Sequence, residues 1–371
     1  MIEREGFQFD LETQRFIKNR WETETGERVL KKIINAIKNF GDIQSILDDY
    51  VLYHEDNLDP YEHPIYPKDA MKENEFWVLT HDDLRGTSFY NENFSNKVSL
   101  GHKSLNYSYF YKCIFEKGNL SSTDLSYSRI EECNFKNGYV ANCNGLDAEF
   151  INCEFQKATM FNNTFINCDF SGSDLSGAFL GDSVFENIKV NYLTQFDYSL
   201  VLKWEDKEFT KEKIPDILRA IRIAYEKVEL WDEADGFLVE EKRAFRKYIL
   251  WERIDKEKKI KRSFVWLKSY LNDLFSGYAT KPMDIIYTGI IISFAFAIVY
   301  TIYGNLSNKL YPDNLLESIY FSFTTFATLG YGDLAFTAAE PYMRILSTAE
   351  AWIGAITMAL FVTTLARKVF R

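Results

Sequence analysis

Residues 141–180 read ANCNGLDAEFINCEFQKATMFNNTFINCDFSGSDLSGAFL, and in this stretch nearly every fifth residue is apolar. The series runs at one phase from Leu100 to Val190, and Gly145 is its one exception. Two residues before each of these positions the side chain is usually small. A repeat this regular predicts a chain wound in equal coils, because equivalent inward positions then stack on one another.

A period of five with one large and one small inward residue resembles the pentapeptide-repeat family. The resemblance implies a right-handed, four-sided β-helix with four repeats per coil. Phe89 and Phe94 continue the series one residue out of phase, which predicts a one-residue insertion between Phe94 and Leu100. All five cysteines fall on the small inward position, so we expect buried spacers in a reducing compartment: Cys113, Cys133, Cys143, Cys153 and Cys168.

A second signal, TLGYGD at residues 328–333, lies between two apolar runs. Residues 285–304 contain no charge, and residues 342–366 contain only Arg344 and one glutamate. Each run is long enough for a helix that crosses a bilayer, which takes about 20 residues. Residues 314–327 are too short to span and suit a helix that enters half of the membrane. The predicted order is therefore outer helix, pore helix, TLGYGD segment and inner helix.

TLGYGD resembles the selectivity filter of potassium channels, with leucine at 329 where valine is usual. The resemblance implies that K⁺ ions pass in single file along the hydroxyl of residue 328 and successive backbone carbonyls. Glycine at alternate positions permits the backbone conformations that this needs. The expected ion-binding residues are Thr328, Leu329, Gly330, Tyr331 and Gly332. One strand cannot surround an ion, so a homotetramer is predicted.

Glu350 lies within the predicted inner helix, where a carboxylate is costly and marks a functional candidate. Three roles stay open for it. It braces the pore helix through Thr324 or Thr325, it shapes the field behind the filter, or it is protonated and only structural.

Two further positions next to the filter have alternative roles. Gly354 resembles the hinge glycine of the inner helix in this channel class, but a glycine that permits close helix packing explains it nearly as well. Asp333 either draws cations to the mouth or holds the filter through a hydrogen bond to Tyr320 or to a neighbouring chain.

The region between the repeats and the first span is expected to be helical. Residues 214–231 and 237–251 carry two apolar stripes at helical spacing, with Gly236 between them. This pair resembles a helical hairpin of the tetratricopeptide type. Residues 276–282 (SGYATKP) are predicted to form a turn, with Pro282 in the first turn of the outer helix.

The fold class expected is multidomain, a β-helix followed by an α-helical linker and an all-α, two-span tetrameric pore domain. The predicted division is 1–84 (N-terminal, partly helical), 85–190 (β-helix), 191–280 (linker) and 281–371 (pore). This order resembles prokaryotic pentapeptide-repeat ion-channel proteins. Basic residues flank both spans, at 256–262 and at Arg367, so both termini are expected in the cytoplasm. The expected location of the protein is the plasma membrane.

These observations predict a potassium-selective channel with membrane lipid and an unknown cytoplasmic ligand or protein as partners. K⁺ is then the permeant ion, and we expect neither an enzyme nor a bound cofactor. The net charge of −11 argues against nucleic-acid binding. A membrane-anchored scaffold with a vestigial pore and a non-selective cation channel remain as alternatives. The gating stimulus is not encoded in any motif that we recognise.

Overall fold

A computed structural model of the protein describes residues 11–19, 21–22, 24–39, 46, 84–96, 98–197, 213–249, 256–303, 315–336 and 341–371. Residues 47–83 of the predicted N-terminal region, 198–212 and 250–255 of the predicted linker, and 304–314 before the pore helix lie outside these ranges. The chain forms two compact units, Met1–Ala244 and Phe245–Arg371.

The first unit contains a β-solenoid whose short strands all pair in parallel. The strands are β1 (Ser88–Tyr90), β2 (Tyr109–Tyr111), β3 (Arg129–Glu131), β4 (Asn144–Leu146), β5 (Glu149–Ile151), β6 (Thr164–Ile166), β7 (Asp174–Leu175), β8 (Val184–Glu186) and β9 (Gln195–Phe196). They form the sheets β1-β2-β3-β5, β4-β6-β8 and β7-β9. Tyr109 pairs with Arg129 and Arg129 with Glu149, so one coil takes twenty residues. This register confirms the prediction of four five-residue repeats per coil.

The register shifts by one residue at two places. Asn93 pairs with Ile114 but Ser99 with Asn119, which confirms the insertion predicted between residues 94 and 100. A second shift follows Lys189, because Asp169 pairs with Lys189 while Asp174 pairs with Gln195. The solenoid therefore continues to Phe196, beyond the end that the sequence predicted at residue 190. The prediction stopped short because the shift breaks the five-residue phase.

Aromatic side chains stack along the inside of the solenoid. The Phe135 ring lies between those of Phe115 and Phe155, at centroid distances of 4.7 and 4.8 Å and within 4° of parallel. Cysteines form a second ladder: the Cys113 amide donates to the Cys133 sulfur at 3.3 Å. All five thiols are free and buried. Burial raises the pKa of Cys143 and of Cys168 to about 12, so these two remain protonated and unreactive at neutral pH.

The turns of the solenoid need a left-handed backbone once in every repeat. The residue two after each large inward side chain has a positive φ, for example Asn142 at 56° and Asn152 at 51°. Asparagine, aspartate and glycine tolerate this conformation best, and they are frequent at this position. This position is a third regular member of the repeat, and its composition marks it in the sequence.

Replacing Phe135 with alanine should destabilise the solenoid by about 3–5 kcal/mol. The substitution leaves a cavity between the rings of Phe115 and Phe155, which the coils hold too far apart to fill it. The measurement is urea unfolding of the full-length chain. Unfolding of the solenoid is detected as the urea concentration at which trypsin begins to cleave within residues 98–197. Tyr139→Ala is the matched control, since Tyr139 is 53% exposed and should change stability by less than about 0.5 kcal/mol. An equal effect of the two substitutions would contradict the stacked core.

Helices precede the first coil, at α1 (Leu11–Asn19) and α2 (Glu24–Lys38). The Trp21 indole N–H donates to the Arg85 carbonyl at 2.8 Å. The apolar face of α2 is buried, and Lys38 forms an ion pair with Glu92. These contacts cover the start of the solenoid, where strand edges would otherwise be open to pairing with other chains.

The last coil is covered by α3 (Ile214–Lys227) and α4 (Trp231–Ile249). The Tyr225 hydroxyl donates to the Thr194 carbonyl at 2.9 Å, and its ring stacks on that of Phe237 at 5.6 Å. The predicted break at Gly236 is wrong, because α4 runs through that residue. The turn lies at Glu229, which has φ 62°. A single glycine inside a helix costs only about 1 kcal/mol, and packing outweighs it here.

One buried carboxylate joins α3 to α4. Glu241 accepts from Arg219 Nε at 3.2 Å and from Arg222 Nε at 2.8 Å. Burial alone would raise the pKa of Glu241, but the hydrogen bond and charge of Arg222 outweigh it, and the pKa is lowered. The pairing therefore stabilises the hairpin at neutral pH, and this contribution is lost as the pH falls through the lowered pKa.

The second unit contains α5 (Lys256–Ser276), α6 (Pro282–Tyr303), α7 (Leu315–Phe326) and α8 (Pro341–Val369), together with the end of α4. The helices α6 and α8 are long and apolar enough to cross a membrane. They match the predicted outer and inner helices, and α7 matches the predicted pore helix. The turn predicted between α5 and α6 is also found, and α6 begins at Pro282. Proline suits this position because its missing N–H would have no partner in the first helical turn.

Candidate functional site

The candidate site begins at the C-terminal end of α7. The amide of Leu329 donates to the Thr324 carbonyl at 2.9 Å, and that of Thr328 donates to the Thr325 carbonyl at 3.0 Å. The segment therefore uses its first N–H groups to hold the end of the helix. Within the described parts of the chain, no backbone N–H donates to the carbonyls of residues 328–331. These carbonyls are thus available to another ligand.

The backbone dihedral angle φ of this segment is positive at alternate residues. Thr328, Gly330 and Gly332 have φ values of 56°, 51° and 76°, whereas Leu329 and Tyr331 are not in the positive-φ region. Alternation of this kind turns successive peptide groups toward one side. Glycine takes up the left-handed conformation without strain, which explains two of the three positions. Thr328 is held in this conformation by the hydrogen bond that its backbone N–H donates to the Thr325 carbonyl at the end of α7.

Beyond the glycines, the Asp333 carboxylate lies near the Tyr320 side chain of α7. Tyr320 is the within-chain partner expected for a bracing role of Asp333, and that role stays a prediction. The segment itself is open in the single chain, where Leu329 is 58% and Tyr331 68% exposed. Among the described residues of one chain, no atom lies within 4 Å of a Cβ placed on Gly330 or on Gly332.

Behind the segment, Glu350 of α8 is completely buried. One carboxylate oxygen accepts from the Tyr300 hydroxyl of α6 at 2.7 Å, and the other accepts from the Ser322 hydroxyl of α7. A single side chain on the inner helix thus contacts both other helices of the site.

The pore-helix partner of Glu350 is not the one that the sequence suggested. Thr324 and Thr325 were the candidates, and the structure places Ser322 there instead. The Thr324 hydroxyl donates to the Tyr320 carbonyl of its own helix at 2.9 Å. Two residues along a helix rotate a side chain by about 200°, so Ser322 and Thr324 cannot face the same neighbour.

Two glycines bring the outer and inner helices against the end of the pore helix. A Cβ on Gly354 would overlap the backbone carbonyl of Phe326, and a Cβ on Gly289 would lie 3.2 Å from the Phe326 ring. Gly354 is therefore required for close packing, which was one of its two suggested roles. Its hinge role stays a prediction. Gly289 was not singled out from the sequence.

After the segment, Phe336 anchors the returning chain. Its ring lies 5.2 Å from those of Tyr300 and Phe321. Tyr300 therefore has two roles, since its ring packs here while its hydroxyl binds Glu350. The sequence does not single out Tyr300, because the same apolar run contains five other hydroxyl side chains: Tyr287, Thr288, Ser293, Thr301 and Tyr303.

Residues 286–371 match the family model described as Ion channel. The C-terminal region is an ion-channel domain. The match covers α6 from residue 286 onward, α7 and α8, together with residues 328–333, so the geometry described above belongs to this domain. The matched family is one of ion channels and not of enzymes. No curated protein matches the chain.

Several solved structures each resemble about a third of this chain. They include a pentapeptide repeat protein, Rfr23, from the cyanobacterium Cyanothece 51142 (19% identity, 31% of this chain and 88% of that one, TM-score 0.22). Others are QnrB1, a plasmid-mediated fluoroquinolone resistance protein (17%, 30% and 57%, 0.27), and a pentapeptide repeat protein from the Arabidopsis thaliana thylakoid lumen (15%, 33% and 73%, 0.22). With TM-scores this low, the pentapeptide-repeat solenoid rests on the strand register of this chain itself.

In the part of the chain that the structure describes, no three His, Cys, Asp or Glu side chains lie close enough together to hold a metal ion. Backbone carbonyl oxygens, such as those of residues 328–331, are a different kind of ligand from such side-chain clusters.

Replacing Glu350 with alanine should destabilise the ion-channel domain. The Tyr300 hydroxyl loses its acceptor in a buried place, which costs about 1–3 kcal/mol. Ser322 is less affected, because its hydroxyl also contacts the Ser293 carbonyl at 2.7 Å. Glu350→Gln is the matched control, since its amide oxygen keeps one acceptor in the same volume. The measurement is the melting temperature of the purified protein in detergent, and the alanine variant should melt well below the glutamine variant. Equal melting would contradict a bracing role.

Proposed function

We propose that four copies of this chain form a potassium-selective channel in which residues 328–332 line the ion path. The observation that carries the proposal is the alternating backbone at Thr328, Gly330 and Gly332, with carbonyls that no amide of the described chain occupies. Carbonyls in a row can replace the water shell of a K⁺ ion.

The oligomer follows from the exposure of this segment. One strand presents its carbonyls to one side only, so an ion in front of it would keep most of its water. Leu329 and Tyr331 are open in the single chain. Three further copies around one axis would cover these side chains and complete the ring of oxygens.

The pore helix supports the same proposal. Its 12 residues make it about 18 Å long, too short for the ~30 Å of hydrocarbon. Its C-terminal end meets residue 328, and the negative end of a helix dipole favours a cation at that place. No acidic side chain is needed on the ion path itself.

Charge supports the orientation proposed for the channel. The helix α5 starts with the basic stretch 256–262 before the first span, and α8 ends with Arg367 and Lys368 after the second. Basic flanks are retained on the cytoplasmic side. Both termini are therefore assigned to the cytoplasm, and the 328–333 segment to the outer side. The solenoid then serves as a cytoplasmic module for regulation or assembly.

Leu329 is the one departure from the usual filter string. In the proposed filter it contributes its backbone carbonyl, and its side chain points away from the ions. We therefore expect potassium selectivity to persist. A leucine that widened the ring would give the non-selective cation channel instead.

Two measurements on the purified chain test the proposal. The first is the mass of the detergent-solubilised particle, which should equal four chains after subtraction of bound detergent. The second is uptake of radioactive rubidium, a potassium substitute, into vesicles that contain the protein and are loaded with potassium. A tetramer without uptake would favour the membrane-anchored scaffold. A monomer would contradict the proposal outright.

A further inference from the structure

A cavity of about 380 Å³ lies within the second unit, between α5, α6 and α8. Its walls are mainly apolar, with Phe264 and Leu271 from α5, Ile292 from α6, and Ile356 and Leu360 from α8. The lining residues lie in the first half of α6 and at or just past the middle of α8. If the spans cross a membrane as proposed above, the cavity lies on the cytoplasmic side of the hydrocarbon layer.

One charged side chain contributes to the described lining. Lys268 of α5 is accompanied by the neutral polar residues Asn272, Thr288 and Thr357. An apolar space with a single ammonium group fits an amphiphile with a negative head and a hydrocarbon tail. A membrane helix of a second copy would fill the apolar part and leave Lys268 without a counter-charge.

The helix α5 has the composition of a helix that lies at a membrane surface. Its apolar residues are open in the single chain, with Phe264 70% and Leu274 56% exposed. Its sequence begins KEKKIKR, and it carries Trp266 stacked on Tyr270 at 5.3 Å. Basic and aromatic residues together are typical of the layer where lipid headgroups meet the hydrocarbon.

The position of α5 is fixed by contacts with the end of α4 and with the following turn. Arg246 Nη2 lies 2.7 Å from the Asp273 carboxylate, and Arg246 Nη1 donates to the Tyr278 hydroxyl at 3.1 Å. The Tyr278 hydroxyl also contacts that of Ser269 at 2.8 Å. The wall that α5 contributes is therefore a built part of the unit.

On these grounds, and resting on the proposed membrane channel, we propose that this cavity binds an acyl chain of an anionic glycerophospholipid whose headgroup phosphate pairs with Lys268. The tail would contact Ile353 and Ile356, which flank Gly354 on the inner helix. Bound lipid would thus support the inner helix beside the place where it packs on the pore helix.

The test measures lipid retained by the purified full-length protein. The protein is reconstituted in vesicles of phosphatidylglycerol and phosphatidylcholine with identical acyl chains, extracted in detergent, and analysed by mass spectrometry for lipid bound per chain. We expect roughly tenfold preferential retention of phosphatidylglycerol, which corresponds to about 1.4 kcal/mol. Equal retention of the two lipids would contradict the role of Lys268.

Matched variants separate the cavity from the general surface. Thr288→Trp fills the cavity and should abolish retention, while Ile291→Trp places the same ring on a 67% exposed position outside the lining and should not. Lys268→Gln should remove the preference for phosphatidylglycerol, and Lys281→Gln, at a basic residue outside the lining, should keep it. Retention by Thr288→Trp equal to that by Ile291→Trp would overturn the proposal.

Two further readouts keep the result interpretable. If Thr288→Trp does not yield folded protein, Leu271→Trp fills the cavity from the side of α5. The proposal then requires that Leu271→Trp no longer retains phosphatidylglycerol. Rubidium uptake is measured on the same preparations. Protein that retains phosphatidylglycerol without uptake contradicts the proposed conduction alone, and protein with uptake but without preferential retention contradicts the lipid site alone.

Discussion

Gly330→Ala is expected to abolish potassium flux, by a factor of about 100 or more, while the chain still folds. Gly330 has φ 51°, and a Cβ there would meet no atom of the described residues within 4 Å. The substitution therefore causes no clash with the described part of its own chain, but the left-handed backbone becomes strained by about 1–2 kcal/mol. In the proposed ring the same strain acts four times. Relief of that strain turns the carbonyls away from the ion path, and an energy of 1.4 kcal/mol already changes an equilibrium tenfold.

Gly277→Ala is the matched control for this effect. Gly277 also has φ 51°, in the turn between α5 and α6, and a Cβ there would lie 3.3 Å from Thr280 Oγ1. It should lower stability by a similar amount and leave flux within about twofold. The flux of the Gly330→Ala and Gly277→Ala variants is compared as rubidium uptake per folded tetramer. If Gly277→Ala loses as much flux as Gly330→Ala, backbone strain in general is responsible and the special role of residue 330 is wrong.

Gly354→Ala is expected to destabilise the ion-channel domain by about 3 kcal/mol or more, because its Cβ would overlap a backbone carbonyl that cannot move aside. Gly289→Ala faces the same residue, Phe326, from the other side. There the neighbour is a ring that can shift by a few tenths of an ångström. Alanine also favours a helix by about 1 kcal/mol over glycine, so Gly289→Ala should be close to neutral.

The temperature at which the tetramer peak is lost in size-exclusion chromatography measures both glycine variants. This comparison also decides between the two roles of Gly354 that the sequence left open. If the glycine serves only as a hinge, Gly354→Ala keeps the melting temperature and changes only the fraction of open channels. A large loss of stability in this variant, but not in Gly289→Ala, supports the packing role.

The elements that the sequence predicted well share one property: the signal is local and repeated, or long. The solenoid follows from side chains that recur every five residues. The spans follow from runs of apolar residues that match the thickness of a bilayer. The ion-channel domain follows from these two spans and the short helix between them, while the filter role of residues 328–333 stays a prediction. For each of these, no knowledge of distant contacts is needed.

The misses have a different cause. Whether Ser322 or Thr324 faces Glu350 depends on how α7 is rotated, and the apolar pattern of a short pore helix does not fix that rotation. The end of the solenoid was missed because one extra residue after Lys189 shifts the phase that defined the repeat. The turn at Glu229 was missed because Gly236 is a better turn former by propensity, and the packing of Tyr225 on Phe237 overrides propensity.

Whether residues 328–332 form a potassium-selective path is shown by the zero-current potential of the reconstituted channel. A tenfold potassium gradient is set across the bilayer, with sodium added to equalise ionic strength. A potassium-selective path gives a potential close to that of potassium alone, about 59 mV for a singly charged ion. A potential near zero, or one that sodium sets as strongly as potassium, would contradict it.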